Sequence, residues 1–154
     1  TIPDSVTSIG NRAFYSSDLS SINIPNSVTS IGEYAFYHTT KLSHESSLTF
    51  AENSSLTDIS DNAFQRSQLK TITIPNSVIS IGESCFGFSA LNDIGFESDS
   101  SLNSIGSLAF QYTKFTTITI PNSVTSIGTS CFRFSLLGLA LRLFLYSSIE
   151  AVLL

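Results

Sequence analysis

The residues able to do chemistry are few, and their spacing assembles no reaction centre. His38 and His44 lie close together with Glu45 beside them, a conceivable metal pair. Two histidines in one loop without a cysteine are a weak ligand set, and they read as solvated loop residues; no metal or other cofactor is expected. Asp58 and Asp61 are the best candidates for a catalytic carboxylate pair, but both are expected on the exposed side of a turn rather than in a cleft. No activated nucleophile, Gly-rich phosphate loop or Ser/His/Asp arrangement is present, so the chain does not read as an enzyme. One glycosylation sequon, Asn53-Ser54-Ser55, lies on an expected corner and matters only in a secretory eukaryotic setting.

Composition narrows the classes further. The 154 residues suit one domain, and an apolar fraction of 42% can bury a continuous core. Only 12% are charged, so Ser, Thr and Asn must wet the surface. The net charge is −5 and the cations are scattered from Arg12 to Arg142, which argues against nucleic acid, whose binders gather Lys and Arg on one face. The chain contains no Met and no leading apolar segment with a cationic flank, and it reads as a fragment without a signal peptide.

What must position these residues is a repeat. The segment Ile24 to Phe36, IPNSVTSIGEYAF, returns at Ile74 to Phe86 and Ile120 to Phe132, and opens the chain at Ile2 to Phe14. Two longer copies run from Phe50 to Phe64 and from Phe96 to Phe110. First residues are separated by 22, 26, 24, 22 and 24 positions, the irregular step carrying an insertion at Thr40 to Ser47.

Columns that stay apolar in every copy must face a stacked interior. Leu19, Leu42, Leu69, Leu91, Phe115 and Leu137 form one; Ile22, Leu48, Ile72, Ile94 and Ile118 follow, then Ile24, Phe50, Ile74, Phe96 and Ile120. This L-x-x-I-x-I spacing ends in a period of two and predicts one strand per coil in a parallel sheet. Pro25, Pro75 and Pro121 close the strand, with Asn26, Asn76 and Asn122 suited to position i+2 of the following turn. A second apolar pair, Val28/Ile31 and its equivalents, crosses the opposite side. Gly10, Gly32, Gly82, Gly106 and Gly128 are then expected to turn the chain through positive φ, with Ser60 in the third coil. The small-large pair from Ala13/Phe14 to Cys131/Phe132 is expected on a short helical turn. Cys85 and Cys131 occupy its small column two coils apart; at about 4.8 Å per coil their Cα atoms lie about 10 Å apart, too far for a disulfide, so both read as core fillers.

The expectation is one α/β solenoid domain over 1–154, with about six coils over 2–135, the parallel sheet on its concave side and short helical turns on its convex side. For 136–154 three readings stand: a degenerate seventh coil, a helical cap, or a membrane span. The alternation of Leu139, Leu141, Leu143 and Leu145 favours the coil, while Arg142 and Glu150 interrupt a span.

The pattern L-x-x-I-x-I-P-x-S-V-x-x-I-G-x-x-A-F resembles the BspA-type leucine-rich repeat up to about Phe134. Where that family has Cys or Ser after A-F-x-x, this chain has Ser17, Ser67, Ser89 and Ser135, with Thr39 and Thr113. The resemblance implies a surface or secreted protein of a host-associated microbe and an adhesive role, often toward host matrix proteins.

Strand residues between the buried columns should point outward: Ser21/Asn23, Ser47/Thr49, Thr71/Thr73, Asp93/Gly95 and Thr117/Thr119. Threonine suits an exposed strand in any sheet, but such a face is also able to dock an extended protein partner through many weak hydrogen bonds. Three alternatives differ in kind. The segment is a spacer; it self-associates through uncapped ends; or Thr71/Thr73 and Thr117/Thr119 order water and bind ice, against which the intervening Asp93/Gly95 counts. Membrane attachment, if any, is expected from regions outside this chain, and the location is the cell surface or beyond it.

Overall fold

A computed structural model describes residues 1–137, which wind through six stacked coils. Each coil has two extended sides. One carries β1 (Ser8–Ile9), β3 (Ser30–Ile31), β5 (Asp58–Ile59), β7 (Ser80–Ile81), β9 (Ser104–Ile105) and β10 (Ser126–Ile127), which join in that order into a parallel six-stranded sheet. The other carries β2 (Ile22–Ile24), β4 (Leu48–Phe50), β6 (Thr71–Ile74) and β8 (Asp93–Phe96), paired only as β2 with β4 and β6 with β8.

The continuous ladder therefore lies on the second apolar pair, not on the L-x-x-I-x-I strands where the sequence suggested it. Proline explains the breaks. Where pairing holds, the residue after the strand donates its N–H to the coil before: Ala51 to the Ile24 carbonyl at 2.9 Å and Glu97 to Ile74 at 3.0 Å. In the next coils that residue is Pro75 or Pro121, which has no N–H to offer Phe50 or Phe96. The expected strand at Ile118 and Ile120 has no ladder. The proline turn is also displaced by one residue from expectation: the Val28 N–H donates to the Pro25 carbonyl, placing Pro at position i and Asn26 at i+1.

The third side contains no helix among the described residues, which corrects the expected helical turns. Three overlapping turns replace it. In the first coil Ala13 N–H donates to Gly10 C=O at 3.2 Å, Tyr15 to Arg12 at 3.1 Å and Ser17 to Phe14 at 3.1 Å. Arg12 and Ser16 have φ of 59° and 51°, and every later coil repeats the pair, down to Ser130 and Phe134. A left-handed residue every fourth position cannot continue a right-handed helix. It turns alternate amides along the stack instead: Arg12, Phe14 and Ser16 donate to the carbonyls of Glu33, Ala35 and Tyr37, and the same three bonds recur at each of the five seams. In these three bonds the donor always belongs to the earlier coil.

No glycine among the described residues has positive φ, so the expected role of the glycine column is also corrected. Its physical reason is close approach. A Cβ on Gly82 would stand 2.5 Å from the Asp61 amide nitrogen, and one on Gly106 2.5 Å from the Gly82 carbonyl carbon, whereas Gly10, in the first coil, has nothing within 4 Å.

Between the sides runs a spine of stacked rings, Phe14, Phe36, Phe64, Phe86, Phe110 and Phe132, with centroids 5.0–5.5 Å apart. From Phe36 onward they are buried; Phe14, with Ile2, Val6, Leu19 and Ile22, is only partly covered. From Thr39 onward the hydroxyl column beneath is buried too, and Thr39, Ser89, Thr113 and Ser135 each donate to the Phe carbonyl three residues back at 2.7–2.9 Å. The two longer coils turn on left-handed Asn53 and Asp99, types that tolerate this conformation. The three readings of 136–154 fall almost wholly outside the described residues.

Candidate interaction surfaces

Of the groups considered for chemistry, the two carboxylates and the two cysteines are drawn into the architecture. Asp58 is half-buried, accepting from the Ser60 hydroxyl at 2.8 Å and the Ser80 hydroxyl at 2.7 Å, and Asp61 accepts the Glu83 N–H at 2.6 Å. Each carboxylate thus joins one coil to the next. His38 stands on the turn side beside Tyr37 and His44 in the insertion; no three His, Cys, Asp or Glu side chains gather into a metal-holding group among the described residues. Cys85 and Cys131 are free and buried, as expected of core fillers. Burial pushes both thiols well above the usual range, Cys131 to about 12, against smaller opposing hydrogen bonds from Phe110 and Ala109.

The outward positions between the strand columns form one side of the solenoid. Ser21, Asn23, Thr49, Thr73, Asp93, Thr117 and Thr119 are exposed and Thr71 is half-buried. Ser47 is not part of this surface: it is 3% exposed, with its carbonyl bonded to Ile22 N–H and its own N–H to His44. Thr49 donates to Asn23 Oδ1 at 2.9 Å, a side-chain rung between coils. Two shallow grooves, about 600 and 260 Å³, meet where Gly95 leaves no side chain, and both are lined by Asp93 and Glu97. The threonine pairs at 71/73 and 117/119 are separated by this gap, and the second lies on an unpaired segment.

The turn side carries a surface that the sequence reading missed. Phe88, Tyr112 and Phe134 stack at 4.6 and 4.8 Å, each more than 40% exposed. Tyr15 and Tyr37 stack at 4.9 Å nearer the first coil. All three arginines among the described residues sit against these rings: Arg12 beside Tyr15 and Tyr34, Arg66 5.7 Å from the Phe88 centroid, Arg133 4.8 Å from that of Phe134. The signal was available in sequence as the column two residues after the buried Phe, where His38, Arg66, Phe88, Tyr112 and Phe134 follow one another.

The model of the BspA type leucine rich repeat region matches residues 7–137 in six copies. The chain belongs to the BspA-type leucine-rich-repeat family. Two solved structures are similar to this BspA-type chain. One is the pneumococcal vaccine antigen PcpA, 35% identical with a TM-score of 0.71 over 75% of this chain. The other is a leucine rich cell surface protein from Faecalibacterium prausnitzii A2-165, 30% identical with a TM-score of 0.56 over 86%. This chain spans 28% and 43% of their lengths. Among curated proteins none matches it.

Proposed function

We propose that this BspA-type segment is a non-catalytic protein-interaction module of a cell-surface or secreted protein, binding an extended partner along its threonine side. The observation that carries the reading is the groove at Gly95, where exposed Thr73, Thr117 and Thr119 surround a gap lined by Asp93 and Glu97. Short hydroxyls and a missing side chain let a partner backbone approach and hydrogen-bond along several coils. The similarity to a cell-surface protein supports the location. The test is binding to a panel of host matrix proteins and glycans, beside a variant with Thr71, Thr73, Thr117 and Thr119 all changed to Lys. Protein binding that this variant loses, with its circular dichroism intact, is the expected result. Binding indifferent to these changes, or none, defeats the reading in favour of a spacer.

The half-covered Ile2, Val6, Phe14, Leu19 and Ile22 favour a second reading for the 154-residue chain by itself, self-association through its first coil. These side chains line a hollow of about 690 Å³. Light scattering should then show mass rising with concentration, and a constant monomer mass would refute it.

A further inference from the structure

We propose that the turn side holds a second docking surface, for an extended acidic peptide whose carboxylates flank aromatic or aliphatic side chains. The surface is the stripe Arg66, Phe88, Tyr112, Phe134 and Arg133. Three observations meet there. The rings are exposed and contiguous across three coils, while most other large apolar side chains of these coils are buried. Each ring stands on a residue with φ of 56–58°, a conformation in which bulky side chains are outliers. A guanidinium closes each end, and neither is in an ion pair: the only one among the described residues joins Lys41 and Asp18.

The geometry selects the occupant. The inner ring faces cover one another and Arg66 and Arg133 stand over the Phe88 and Phe134 rings at the two ends, so the stripe offers ring edges, the electropositive rim of the aromatic quadrupole, and not the open faces on which sugars stack. Edges and guanidinium groups together call for anionic oxygens and for the faces of partner aromatic rings. From Arg66 over three rings the stripe runs about 15 Å, the span of four to five extended residues at about 3.4 Å each. A peptide with acids at its two ends and aromatic side chains between them fits both the length and the charge.

The full 154-residue chain should bind a fluorescent capped peptide, Glu-Phe-Ser-Phe-Glu, at least tenfold more tightly than the same peptide with Gln for Glu, read by anisotropy. Binding should weaken as salt is raised. Changing Phe88, Tyr112 and Phe134 to Asn removes the rings while suiting the left-handed backbone, so the fold should persist by circular dichroism; binding should fall at least tenfold. The pair Arg66→Gln and Arg133→Gln, which alters only exposed heads, should do the same. The quadruple threonine variant should keep full peptide affinity, which separates this surface from the groove at Gly95. Equal affinity for the Gln peptide, binding unchanged in the Asn and Gln variants, or no binding would overturn the proposal. So would capture of heparin or phosphatidylserine vesicles through these residues without peptide binding.

Discussion

Phe88, Tyr112 and Phe134 hold a left-handed backbone that costs an ordinary L-residue about 1–2 kcal/mol, offset by ring stacking of about 0.5–1.5 kcal/mol per contact. The terms are of equal size, so Phe88→Asn should move stability by less than about 1 kcal/mol in chemical denaturation. A loss of 3 kcal/mol or more would show the ring to be a structural element. The buried thiols behave differently. Cys131, held at about 12, stays neutral when folded but ionises near 9.0 when released, so its contribution is complete below pH 9 and is lost as pH rises toward 12. Thiol reagents at pH 8 should leave both cysteines unmodified until denaturant is added. Rapid native labelling would contradict their burial. The sequence foretold these cysteines, because their column is filled by Ala elsewhere. It did not foretell the left-handed aromatics, since propensity assigns such positions to Gly or Asn and the glycines here stand elsewhere.

At the scale of the coil, the glycine column and the prolines show how one signal can support the right element for the wrong reason. The glycines mark a bend between sides, but their lack of a side chain serves contact between coils. Gly106→Ala should therefore destabilise by about 1–3 kcal/mol, because the new methyl meets backbone that cannot retreat. Gly10→Ala, with open space around it, should be neutral or slightly stabilising. Equal effects in urea denaturation would show that conformation and not contact governs the column. The prolines were read as strand ends, which Pro25 and Pro75 are; that a proline also interrupts the ladder between whole coils follows only once cross-coil donors such as Ala51 and Glu97 are seen. Periodicity located the inward columns, but hydrogen bonding decides which of them becomes the continuous sheet.

Across the whole molecule, nearest neighbours set stability, because each coil touches only those beside it. Phe86→Ala, inside the ring spine, should cost about 3–5 kcal/mol, and Phe14→Ala, partly covered in the first coil, markedly less. Comparing the two denaturation midpoints checks this, and similar losses would mean that the first coil is as well packed as the fourth. The repeat was legible because its identity is written in recurring residues. The interaction surfaces were less so, because an exposed threonine or aromatic has no fixed partner column, and Ser47, buried and bonded back to His44, precedes the strand whose alternation was used to place it outside. One feature of the stack reaches beyond packing. On the turn side the three backbone bonds at each seam all point from the earlier coil to the later one, so these peptide dipoles align along the solenoid axis. Their negative pole lies toward the first coil and their positive pole toward the sixth, the end at which Phe134 and Arg133 stand. The backbone itself thus grades this side electrically, and an anion travelling along it gains most at the end where the arginine-flanked rings wait.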